Sequence, residues 1–64
     1  MVIRFDKEVD IIYIKLTDGE ITESDEQKPG VIIDYDAMGN IVGIEVLDAS
    51  KKMKQPNGIS YEVA

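Results

Sequence analysis

Apolar and polar positions alternate along short runs of this chain, and clusters of turn-forming residues separate one run from the next. The clusters are residues 6–10, Asp18-Gly19, Pro29-Gly30, Met38-Gly39-Asn40 and Pro56-Asn57-Gly58. Between them the pattern predicts five short strands, over residues 2–6, 11–17, 20–26, 31–36 and 41–48, with a sixth over residues 59–63. Residues 49–54 are the only stretch that reads as a helical turn, and Asp48 stands where its carboxylate would accept the first free N–H groups of that turn. The expectation is one small, mainly β domain over residues 1–64, an antiparallel sheet with a short C-terminal helical element.

Residues 2–16 lie over residues 32–46 without a gap. Ile3 and Ile33, Asp6 and Asp36, Ile11 and Ile41, and Ile14 and Ile44 are identical, and Phe5 matches Tyr35. This is the pattern of one hairpin used twice. A four-residue loop sets Asp6 opposite Ile11, Phe5 opposite Ile12 and Ile3 opposite Ile14, so the apolar pairs share a face. The same register in the second hairpin sets Tyr35 opposite Val42, Ile33 opposite Ile44 and Val31 opposite Val46. The other face receives Arg4 opposite Tyr13, Val2 opposite Lys15 and Ile32 opposite Glu45, the mixed composition of a solvated surface. A slip by one residue would invert both faces.

Asp18-Gly19 suits a two-residue hairpin that would set Leu16 opposite Ile21. The segment that follows, Thr22-Glu23-Ser24-Asp25-Glu26, is too polar to bury and reads as an edge strand guarded by charge. Lys28-Pro29-Gly30-Val31 reads as a type II turn, Pro fixing φ at its second position and Gly supplying positive φ at its third.

Composition agrees with β-structure: sixteen of the twenty-eight apolar residues are Ile or Val, which fit a pleated surface better than a helix. Thirteen acids against seven bases give a net charge of −6, which repels phosphate backbones and anionic lipid, so neither nucleic acid nor a membrane is the expected partner. No apolar run reaches the ~18 residues of a membrane span, and no basic leader precedes an apolar stretch, so the expected setting is the cytoplasm. There is no Cys and no His, which removes disulfides, thiolate chemistry, the usual general base and the softer metal ligands; no cofactor is expected.

The run Phe5-Asp6-Lys7-Glu8-Val9-Asp10 followed by Tyr13-Ile14, and later Gly30-Val31-Ile32 with Asp34, Asp36, Gly39, Asn40, Gly43-Ile44-Glu45 and Leu47-Asp48-Ala49-Ser50, resembles the small prokaryotic YuzE-like family, domain of unknown function 2283. The resemblance covers residues 1 to about 53 and leaves residues 54–64 as a tail outside the common pattern; Val9 stands where a small residue is usual. It implies an antiparallel sheet with a short C-terminal helical element, and an antitoxin-like partnership with small toxins for some members.

Candidate chemistry is sparse. Asp6, Asp10, Asp36 and Asn40 flank the two hairpin loops; calcium would need more oxygens than they supply, so they are expected to accept local backbone N–H groups. Asp34 and Glu45 should be diagonal neighbours on the outer face, with Cβ atoms under ~7 to 8 Å apart, and are expected to be solvated. Ser24, Ser50 and Ser60 have no His to activate them, so no catalytic residue is assigned. The residues expected to meet a basic protein partner are Glu20, Glu23, Asp25 and Glu26, with Arg4, Tyr13, Asp34 and Glu45 as a second surface.

Eleven apolar side chains on one sheet face exceed what a monomer usually exposes, so a homodimer through that face is expected. The functional expectation is a protein-interaction module. The alternative is a small ligand-binding domain or hydrolase built on the outer-face carboxylates.

Overall fold

A computed structural model describes residues 1–64. Five strands, β1 (Val2–Asp6), β2 (Ile11–Lys15), β3 (Glu23–Lys28), β4 (Val31–Tyr35) and β5 (Ile41–Leu47), precede one helical turn, α1 (Ala49–Lys52). They form a single antiparallel sheet in the order β1-β2-β5-β4-β3. No helix is long and apolar enough to cross a membrane.

The first hairpin has the register read from the sequence, with Ile3 opposite Ile14, Arg4 opposite Tyr13 and Phe5 opposite Ile12. In the second, Val31 opposes Val46 and Ile33 opposes Ile44 as expected, but Tyr35 opposes Ile41 and not Val42. A bulge there makes Val42 the extra residue. The two hairpins join through β2 and β5, where Ile14 faces Ile44, its counterpart in the thirty-residue repeat. Equivalent positions therefore meet across a pseudo-twofold axis. The β2–β5 ladder continues past Lys15, where Leu16 N donates to the Val42 carbonyl at 2.7 Å.

That junction overturns the expected hairpin at Asp18-Gly19. The free edge of β2 is taken by β5, whose Ile44 and Val46 continue its apolar face as the polar β3 cannot. Residues 16–22 instead cross the sheet end, with Thr17 N donating to Val42 O at 3.3 Å and Thr22 N to Tyr35 O at 2.9 Å. Leu16 does not pair with Ile21, and β3 becomes the far edge beside β4. All six residues of β3 are exposed, as a charge-guarded edge requires. Gly30, at φ 80°, occupies the third position of the expected turn.

The helical turn is held differently from the expectation. Asp48 is left-handed, at φ 52°, and its side chain makes no capping bond. Asp10, also left-handed at φ 58°, supplies the cap from the first hairpin loop: its carbonyl accepts from Ala49 N at 2.9 Å and its carboxylate from Ser50 N at 3.0 Å and Ser50 Oγ at 2.6 Å. Ala49 is fully buried beneath this contact. Residues 59–63 do not form the expected sixth strand; Ile59, Tyr61 and Val63 are exposed, and no ladder joins them to the free edge of β1.

The sheet is one layer thick. Only Ile12, Val42 and Ala49 are buried apolar side chains. One face carries a row of four isoleucines, Ile3, Ile14, Ile44 and Ile33, across four strands, and a second row of Phe5, Ile12, Val46 and Val31. The tail lies over one end of it, where Met53, Pro56 and Ile59 border a hollow against Ile3, Ile12 and Ile14. Over β4 and β5 no further layer covers the face, and Val31, Ile33, Tyr35 and Ile44 are only half-buried.

Candidate functional site

The opposite face is built from two rows. Val2, Lys15, Gly43, Asp34 and Ser24 form one, and Arg4, Tyr13, Glu45, Ile32 and Glu26 the other. Asp34 and Glu45 are diagonal neighbours, as the sequence indicates, but Asp34 is not solvated. It is 1% exposed.

Three neighbours produce that burial. Gly43 stands opposite Asp34 and has no side chain, and the Tyr13 ring lies in the space this leaves: a Cβ on Gly43 would meet Tyr13 Cε1 at 2.7 Å and its hydroxyl at 2.8 Å. On the far side Ser24 Oγ donates to Asp34 Oδ1 at 2.6 Å. Asp34 Oδ2 has no partner. Glu45 stands diagonal to Asp34 on the same face; burial first, and then the neighbouring Asp34 carboxylate, hold its carboxyl above the ordinary range. Tyr13 is also pushed up, by burial first and then by the charges of Asp34 and Glu45.

The hairpin loops serve the fold. Glu8 N donates to Asp6 Oδ1 at 3.0 Å, and Met38 N to Asp36 Oδ1 at 2.9 Å, the same bond in both copies of the repeat. Asp36 also accepts from Asn40 N and Asn40 Nδ2, and the Asn40 bonds hold its carboxyl below the ordinary range. Asp10, expected to serve its own loop, holds α1, and Ser50 lowers its carboxyl chiefly through the hydroxyl bond.

The four acids expected to meet a partner do not form one row. Glu23 and Asp25 lie on the apolar side of β3, opposite Tyr35 and Ile33, and Glu26 lies on the other side, opposite Ile32. Glu20 belongs to the crossing segment. Asp25 is engaged by Gln27 Nε2 at 2.7 Å, and Glu26 accepts from Gly30 N at 3.1 Å. Glu23 is left as the free acid of the strand.

Hydrolysis by Asp34 and Glu45 finds no support in this arrangement. A general acid must reach the atom it protonates, and Asp34 is closed over. The hollow beside Glu45 is lined by Arg4, Asp6, Val9, Ile11 and Tyr13, without Asp34. Ser24 and Gly43 complete the carboxyl site and were not legible from the sequence. Ser24 meets Asp34 only once β3 is placed beside β4, and Gly43 reads as a strand weakness until Tyr13 is seen to fill its place.

The chain matches a family model described as "Protein of unknown function (DUF2283)" over residues 2–50, which spans all five strands and the start of α1. No curated protein and no solved structure matches it.

Proposed function

The chain belongs to the DUF2283 family, and on that footing we propose that it is a protein-association module: two copies pack their apolar sheet faces together, and the acidic edge β3 remains to receive a basic protein. The observation that carries the first half is surface area. A compact monomer of this mass exposes about 4,100 Å², whereas this chain exposes 5031 Å². The excess of roughly 900 Å² is close to the ~800 Å² that each partner contributes to a standard interface. The dimensions agree: the molecule measures 34 × 31 × 20 Å, and its radius of gyration of 12.3 Å exceeds the ~10.7 Å of a compact chain of this length.

A face-to-face pair would cover the isoleucine row and the half-buried Val31 and Tyr35, as two sheets do in a sandwich. Residue-resolved NMR on dilution tests the surface used. Methyl signals of Ile33 and Ile44 should shift as copies separate, while those of Ile32, on the other face, stay fixed. Shifts confined to the outer face would contradict the reading.

The second half rests on β3, whose six exposed residues line an unpaired sheet edge and include Glu23, Asp25 and Glu26. A partner strand adding to this edge would bring its bases against those acids. An antitoxin-like role, with a small basic toxin as that partner, is the form the family resemblance implies. Changing Glu23, Asp25 and Glu26 to Gln, Asn and Gln should slow association with such a partner at low salt, and an unchanged rate would remove β3 from the interface.

A further inference from the structure

Asp34 Oδ2 is the only buried side-chain oxygen without a hydrogen-bond partner, on a residue 1% exposed. An ionised carboxylate in that position would lack an acceptor bond that water cannot supply, at substantial cost. Two groups beside it carry a proton that could supply the missing bond, the Tyr13 hydroxyl, which lies over Gly43 opposite Asp34, and the carboxyl of Glu45. Ser24 is already spent on Oδ1, Gly43 has no side chain, and Ile32 is apolar. Arg4 and Lys15 are separated from Asp34 by intervening strand positions, with Tyr13 and Gly43 between, and Glu26 lies beyond Ile32 on β3. Glu45 stands on β5, diagonal to Asp34 on the same face, and unlike the Tyr13 hydroxyl it is an acid whose charge the buried carboxylate would otherwise repel.

We propose that the carboxyl O–H of Glu45 is the donor to Asp34 Oδ2, so that the two side chains share one proton and carry one negative charge between them, roofed by the Tyr13 ring. The arrangement satisfies both Asp34 oxygens, Oδ1 by Ser24 and Oδ2 by Glu45. It also explains why two acids tolerate adjacent positions under an aromatic ring. The upward displacement of the Glu45 carboxyl points the same way. In an acid with a raised folded-state value, the native state binds the extra proton. Stability from the pair is therefore complete below the ordinary glutamate value of about 4.3 and is lost as pH rises through the folded value. Loss of the proton leaves two charges facing each other across β4 and β5, beside the open edge of β3.

Carboxyl-detected NMR titration reads the pair directly. The Glu45 signal should titrate above the ordinary glutamate value of about 4.3, and Asp34→Asn, which removes the neighbouring charge, should bring its midpoint down toward that value. A Glu45 midpoint at the ordinary value in the native protein would overturn the proposal. Glu45→Gln provides a second reading that does not depend on the Asp34 variant folding, because its amide donates to Oδ2 at every pH. Between about pH 4 and pH 8 the native protein should lose melting temperature relative to Glu45→Gln as pH rises. Parallel curves for the two proteins would overturn the shared proton.

Discussion

Replacing Gly43 with Ala should destabilise the sheet through Tyr13 and not through the backbone. Gly43 needs no special φ, so the added methyl is opposed only by its neighbours: Tyr13 Cε1 at 2.7 Å, the Tyr13 hydroxyl at 2.8 Å and the Ile14 carbonyl at 3.0 Å. Overpacking of this kind costs about 1 to 3 kcal/mol, and the restriction of the unfolded chain returns about 0.4 to 1 kcal/mol. The net loss is then ~1 to 2 kcal/mol, or roughly 5 to 15 °C in melting temperature for a domain of this size. Relief requires the ring to swing outward, which uncovers Asp34. In a Tyr13→Ala background the two shortest contacts vanish, and Gly43→Ala should cost less than about 0.5 kcal/mol. Thermal melts of the four proteins, followed by circular dichroism, give the coupling. Effects that add to within ~0.3 to 0.5 kcal/mol would show that the ring does not occupy the space above Gly43, and the account of Asp34 burial would fall with it.

Val42→Ala, at the bulge where the crossing segment packs, removes two buried methyl groups and should cost about 2 kcal/mol by denaturant titration, while Val2→Ala, 59% exposed, should be nearly silent. Asp36→Ala deletes the acceptor of three hydrogen bonds and should lower the melting temperature more than Asp6→Ala, which deletes one. Asp10 and Asp36 have lowered carboxyls, so their stabilisation is present above the ordinary aspartate range and lost as pH falls through their folded values, opposite in sign to Glu45. Ser50→Ala should return the Asp10 carboxyl toward its ordinary range and raise its NMR titration midpoint; an unmoved midpoint would contradict the cap.

The positions of β1, β2, β4 and β5 and the register of the first hairpin were legible because a one-residue slip would expose Phe5, Ile12 and Ile14 together. Sheet order was not. Asp18-Gly19 carries the local signature of a tight hairpin, but the choice of neighbour for β2 was decided by β5, whose Ile44 and Val46 extend an apolar row that Glu23 and Asp25 would break. Local turn chemistry yielded to a non-local contact. The same holds at α1, where Asp48 is the nearest residue able to cap and Asp10, forty positions away, does so. At the outer face the sequence placed Asp34 beside Glu45 but assigned both to solvent. Burial of Asp34 depends on the Tyr13 ring crossing to Gly43, and on Ser24 arriving from β3, which lies beside β4 and not beside β2.

Sedimentation equilibrium over a dilution series tests the central claim most directly. The account requires the chain to reach about 14.2 kDa, twice its 7.1 kDa, and Ile33→Glu, which places a charge at the β4 end of the isoleucine row, to stay at 7.1 kDa with an unchanged circular dichroism spectrum. A chain that sediments at 7.1 kDa at every concentration would contradict it.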